Sequence, residues 1–322
     1  MSRTLLIKNV RIFDGETEIP ESNVLVENGV IKKVSTTSLH APDESTTIIS
    51  KPGHTLIPGI IDGHVHSYTE GPITLIQSLK FGITTVCDMH NELGNIPSLK
   101  KSAEEDSDAA DFKMASEAAT IEGGWPGAVV TALDKSEEAK AIIDTWPKLK
   151  TKADVDIYIQ DRVRDKVDYI KLMHEDGHGM RVKPTIPPID LQKQIVQAAH
   201  SHGLVVVAHA TSLQATIDIL EAGVDGLTHT ILDQMPTKEL IAAYRKNNAY
   251  CNPTLMTIGS ITSQGQHEQE LSARDPRARK FLSRETQEKL CRCSGLGNDL
   301  ANAEYSYESV RQLKAAGIDI IM

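Results

Sequence analysis

Four histidines and one lysine stand where chemistry could be done. Asp62-Gly63-His64-Val65-His66 closes an apolar stretch that begins near Thr55. Side chains two residues apart in an extended segment face the same way, so His64 and His66 project together. Two imidazoles aimed at one point make a metal-binding pair, although an isolated His-x-His is more often two solvent-facing residues. His209 ends the run Leu204-Val205-Val206-Val207-Ala208, and His229 ends Gly226-Leu227-Thr228. One polar residue closing an apolar strand is unremarkable. Four histidines at the ends of three strands would converge on one mouth if the sheet closes. Lys171 sits inside Tyr169-Ile170-Lys171-Leu172-Met173. Burial disfavours its charged form and lowers its pKa. The plain alternative is a lysine snorkelling from a strand end. The functional one is a neutral amine that takes up carbon dioxide and becomes an anionic, bidentate carbamate able to bridge two metal ions. Of the other histidines, His174, in the His174-Glu175-Asp176-Gly177-His178-Gly179 stretch, is the candidate for substrate contact. His90 could line the mouth, and His200 and His202 suit a helix C-terminus.

The elements that must position these residues read as strand and helix in alternation. Strands are expected at 55–62, 83–89, 112–116, 169–173, 204–209, 226–230, 250–255 and 318–322. Amphipathic stretches at 73–82, 191–203, 213–223, 238–248 and 306–317 end in Gly or Asn, as helices do. Eight buried-type strands between helices imply an α/β parallel sheet, best closed as a (β/α)8 TIM barrel, with an open doubly wound sheet as the other arrangement. Residues 1–55 form a small β domain, with a hairpin signal at Asn28-Gly29, and 56–322 form the barrel. Two connections are long. One, 117–167, carries Gly123-Gly124-Trp125-Pro126-Gly127, and the other is 256–305. Long loops after barrel strands act as lids or substrate walls, or are plain surface excursions.

Composition narrows the function. The 322 residues carry 34 Lys and Arg against 44 Asp and Glu, a net charge of −10. With no basic block, nucleic acid is excluded as a partner. No apolar run approaches a membrane span, and the first residues lack a signal peptide's apolar core. Cys87, Cys251, Cys291 and Cys293 are too few for a disulfide scaffold and are expected as free thiols in the cytoplasm. The expected partner is a small-molecule substrate, and a homo-oligomer is compatible with the sequence.

These motifs together resemble the amidohydrolase superfamily, in particular its binuclear metal hydrolases of the imidazolonepropionase-like and Xaa-Pro dipeptidase-like groups. The resemblance rests on segments 56–66, 81–89, 169–173, 205–210, 222–230 and 316–322. It implies a (β/α)8 barrel with an N-terminal β-sandwich-like domain, and two divalent ions, zinc by expectation. His64 and His66 would hold one ion, His209 and His229 the other, and the Lys171 carbamate would bridge them. It implies cleavage of an amide C–N bond in a peptide-like, N-acyl amino acid or cyclic amide substrate. The family places an aspartate, ligand and proton shuttle, just after strand eight. Here the chain reads Ile318-Asp319-Ile320-Ile321-Met322 and stops. Asp319 lies at the strand's start, about 10 Å from the metal face at ~3.3 Å per residue. No catalytic base is therefore assigned within the sequence. The expectation is a barrel truncated before its final helix, with an incomplete N-terminal domain, less than two metal ions and impaired hydrolysis. The alternatives are a non-catalytic fragment or interaction chain, and a cyclic amidine deaminase. The last ranks lower because Lys171 is present and Ala210-Thr211-Ser212, not an HxxE arrangement, follows His209.

Overall fold

The computed structural model describes residues 4–67 and 71–322. The chain divides into two compact units, Met1–Ile60 and Ile61–Met322.

The first unit holds β1 (Thr4–Phe13), β2 (Glu18–Glu27), β3 (Val30–Ser35), β4 (Thr47–Ser50) and β5 (Thr55–Leu56). They form one sheet in the order β3-β2-β1-β4, with β5 also on β1. Asn28 and Gly29 both adopt positive φ, 53° and 77°, which the two-residue turn between β2 and β3 requires. Val10, Ile12 and Val24 form its small core.

The second unit opens with β6 (Ile60–Val65), α1 (Pro72–Lys80), β7 (Ile83–Asp88), α2 (Ile96–Glu105) and β8 (Asp111–Met114). Three helices follow, α3 (Gly127–Leu133), α4 (Glu137–Thr145) and α5 (Lys152–Arg164). Then strand and helix alternate as β9 (Tyr169–Met173), α6 (Ile189–Ser201), β10 (Val205–His209), α7 (Leu213–Glu221), β11 (Gly226–Thr228), α8 (Lys238–Asn247) and β12 (Tyr250–Asn252). The chain continues through α9 (Leu255–Thr262), α10 (Gln266–Arg274), α11 (Pro276–Arg279), α12 (Arg284–Leu290) and α13 (Ala303–Ala315). Both long connections are thus largely helical. Serine and threonine side chains cap α4, α5, α7 and α8 at their N-termini, satisfying backbone N–H groups that the helix itself leaves open.

The strands form two runs, β6-β7-β8 and β9-β10-β11-β12, the second parallel throughout. Hydrogen bonds join the runs at both ends. Asp168 N donates to Met114 O at 3.0 Å and Ala119 N to Lys171 O at 2.8 Å. On the far side, residues 318–322 run between β12 and β6. Cys251 N donates to Asp319 O, Ile321 N to Cys251 O, both at 2.9 Å, and Gly63 N to Met322 O at 2.7 Å. The expected eighth strand is therefore reduced to an isolated bridge between Cys251 and Ile320, yet it closes the ring of the α/β barrel.

Alternation along the strands sorts the interior. Ile170, Leu172, Val206, Ala208 and Leu227 join the main core with residues of α5 to α8. Tyr169 and Val207 face the other way, with Met89 and Ala115, filling the inside of the ring. Lys171 and His209 share that inward parity. Outside the ring, Arg162 of α5 pairs with Glu117 at 3.1 Å, both buried, which ties α5 to the connection after β8. Among the described residues no helix is long and apolar enough to cross a membrane.

Gly226 opens β11 with its α-carbon against the Tyr250 ring, where a Cβ would come within 2.3 Å. Gly226→Ala is expected to lower stability by about 1–3 kcal/mol through overpacking, read as a shifted denaturant midpoint. An unchanged midpoint would contradict this packing.

Candidate metal centre

The inward parity of β9 puts Lys171 at the middle of the ring with 1 % of its surface exposed. Its Nζ donates to Thr228 Oγ1, and no carboxylate among the described residues pairs with it. Burial alone pulls the amine down to about 7. A buried, unpaired ammonium is costly, so the fold favours the neutral amine.

Four imidazoles surround this lysine. The ring centroids of His64 and His66 are 5.1 Å apart, those of His64 and His229 5.0 Å, and those of His209 and His229 4.6 Å. Burial is the first cause holding all four well below the ordinary histidine range, His66 at about 4, and the Lys171 charge adds to it. They are neutral near pH 7, the form that ligates metal.

Hydrogen bonds fix which nitrogens remain. His66 Nδ1 lies 3.2 Å from His90 O and must donate to it, because a carbonyl oxygen only accepts. Its Nε2 faces His64 Nε2 at 3.2 Å, while His64 Nδ1 is buried without a partner among the described residues. Two imidazole nitrogens meeting nose to nose share either a proton or a cation. His229 Nδ1 is held by Thr254 Oγ1 at 2.5 Å. His229 itself adopts φ +77°, an uncommon conformation for any residue other than glycine, pinned by its N–H on Asn252 O. His209 Nε2 lies 2.9 Å from Glu175 Oε2. Glu175 is fully buried and also accepts from Thr211 Oγ1 at 2.6 Å and Gly177 N at 2.8 Å. Thr211 and Gly177 thus fix the carboxyl in place beside the His209 ring. Burial nevertheless pushes the Glu175 carboxyl up to about 7.

The donor set fits metal in a particular way. Among the described residues no three His, Cys, Asp or Glu side chains are arranged to hold one ion. The four histidines instead form one chain of ring contacts, from His66 through His64 and His229 to His209, beside the buried Lys171, a set of nitrogen donors of the kind that divalent metal ions take. Asp319, at the start of the closing segment, is exposed and contributes only its carbonyl to the sheet.

All five sequence-predicted ligand positions thus meet in one place. His174 is buried, with Nδ1 3.5 Å from Gln192 Nε2 on the α6 side. His90 accepts from Ala118 N through Nδ1 and stacks edge-on against Trp146 at 4.7 Å. Two carboxylates escaped the sequence reading. Glu175 was visible only as an acidic residue between two histidines. Asp88, buried at the end of β7 with its carboxyl raised to about 6, accepts from Ser67 N, His90 N and Asn91 Nδ2 and so orders the chain beside His66. A polar residue closing an apolar strand was the available signal for it.

Comparison with known proteins shows the family and the fold. The profile of the amidohydrolase family matches residues 55–272. The fold is similar to that of a Xaa-Pro dipeptidase with methionine bound in its active site, with a TM-score of 0.70 at 17 % identity over 98 % of this chain and 78 % of that one. It is also similar to molinate hydrolase, with a TM-score of 0.71 at 18 % identity over 100 % of this chain and 72 % of that one. A dihydroorotase of Methanosphaera stadtmanae is 32 % identical over 99 residues, which are 28 % of this chain and 21 % of that enzyme. The match thus spans about a fifth of the curated relatives' length.

Glu175→Gln removes the carboxylate that orients His209 while keeping the side chain's shape. Zinc affinity is expected to fall about 10–100-fold, measured by chelator competition, with the circular dichroism spectrum unchanged. An unaltered affinity would deny Glu175 this orienting role.

Proposed function

Because this chain belongs to the amidohydrolase family, we propose that it is a metal-dependent hydrolase of amide C–N bonds. His64 and His66 would hold one divalent ion and His209 and His229 a second, with Lys171, as its carbamate, supplying a further ligand between them. The observation that carries the reading is a buried lysine, without a carboxylate partner among the described residues, beside four neutral imidazoles in contact with one another. When bound, two such ions, zinc by the nitrogen-rich donor set, supply Lewis acidity and bring the pKa of a bound water towards neutrality.

The chain's own residues do the rest. Burial keeps the Lys171 amine neutral, so its lone pair attacks the carbon of carbon dioxide. An N–C bond forms, one C=O π pair moves to oxygen, and the nitrogen releases a proton, leaving a carbamate with one negative charge and two donor oxygens. Thr228 Oγ1 accepts a hydrogen bond from the amine and positions it. Thr254 and Glu175 each engage one nitrogen of His229 and His209, which orients the two rings. His174, buried against Gln192, has no necessary part in this reading.

Peptide-like, N-acyl amino acid and cyclic amide substrates share the bond this site would cleave. The likeness to a Xaa-Pro dipeptidase supports the first. The partial similarity to dihydroorotases, named for a cyclic amide, supports the last.

In bicarbonate buffer enriched in carbon-13, the zinc-loaded protein is expected to give a carbamate carbon resonance that Lys171→Met abolishes. Amine release from a panel of these amides is expected to depend on zinc and to drop at least about a hundredfold in His64→Ala. Absence of zinc binding, or hydrolysis indifferent to His64→Ala, would sink the reading.

A further inference from the structure

The indole of Trp125 lies almost flat on His209, with ring centroids 5.0 Å apart and planes 22° from parallel. The loop that carries it is held firmly. Thr185 N donates to Gly123 O at 2.9 Å, and a Cβ on the buried Gly124 would come within 2.8 Å of Ile121. Trp125 also packs against a satellite apolar cluster containing Met180, Leu232 and Ile258. These residues come from the connections after β9, β11 and β12, on the same side of the sheet as the histidines. The side chain is only partly covered, and its Nε1 makes no hydrogen bond among the described residues. Met235 and Met256, on the connections after β11 and β12, are 54 % and 55 % exposed. A tryptophan serving only as filler would bury or pair its N–H. Here an aromatic surface, a free donor and two adaptable thioethers stand on the connections beside the proposed ligands.

We propose that Trp125 is a specificity-determining residue, which selects substrates carrying a flat apolar group, an aryl ring foremost, beside the amide that is cleaved. This rests on the reading of His209 as a metal ligand. The aryl group covers the exposed part of the indole, removing apolar surface from water. A small acyl group leaves that surface wet.

Acetohydroxamic and benzohydroxamic acids share a metal-binding head and differ in the phenyl group, so their calorimetric titration into the zinc-loaded protein separates the two readings. Benzohydroxamate is expected to bind about tenfold more tightly. Trp125→Ala is expected to cut that preference, read as the ratio of the two affinities within the same variant, to about twofold, and Trp125→Phe to retain most of it. Should Trp125→Ala fail to fold, Trp125→Leu fills the same cluster without an aromatic face and is expected to lose the preference. Acetohydroxamate binding with no phenyl preference, or a preference that survives Trp125→Ala or Trp125→Leu, overturns the role of Trp125 alone. Failure of both hydroxamates to bind overturns the metal-hydrolase reading, and this inference with it.

Discussion

An amine buried in the middle of a parallel sheet, with no carboxylate among the described residues to neutralise it, is the constraint on which the rest of the centre depends. Water is excluded from Lys171 by the strands on either side, and its hydrogen-bond acceptor among the described residues is the hydroxyl of Thr228. A charge there would be opposed by desolvation, and it would in turn oppose protonation of every imidazole around it. Burial alone keeps the lysine neutral, and burial, with repulsion from neighbouring cations added, keeps the histidines neutral. Shared burial thus turns five groups that are often cationic in water into five electron-pair donors.

Neutrality alone does not aim a lone pair. Each ring has two nitrogens, and the protein spends its polar atoms on deciding between them. His90 O, Thr254 Oγ1 and Glu175 Oε2 each take one nitrogen. Asp88 gathers the N–H groups of the chain beside His66, and Thr211 and Gly177 steady Glu175. The outer ring of hydrogen bonds is thus as specific as the inner ring of ligands, and its members come from different elements.

That difference explains what could be read from the sequence. His64, His66, Lys171, His209 and His229 were legible because strand parity makes each an exception within an apolar pattern, and exceptions at strand ends point to one face. The hairpin at Asn28-Gly29 and the helix ends at Gly203 and Asn248 were legible because backbone conformation selects those residue types locally. Glu175, Thr254 and Asp88 act across tens of residues of intervening chain, with no periodicity to betray them. The helices within 256–305 were missed because their faces are largely polar and exposed, so no apolar stripe marks them. Segment 318–322 has the composition of a strand, but its pairing consists of one bridge on one side and a single hydrogen bond on the other.

The same pairing divides the barrel into two leaves. One leaf is β6-β7-β8, with His64 and His66. The other is β9 to β12, with Lys171, His209 and His229. Within each leaf the ladder is continuous, while the seams between them are sparse. Ligands held jointly by Lys171 and the first histidine pair would act as a clasp across the seams. Loading the centre and stiffening the barrel would then be one event, with the mechanical rigidity of the scaffold supplied in part from its own hub.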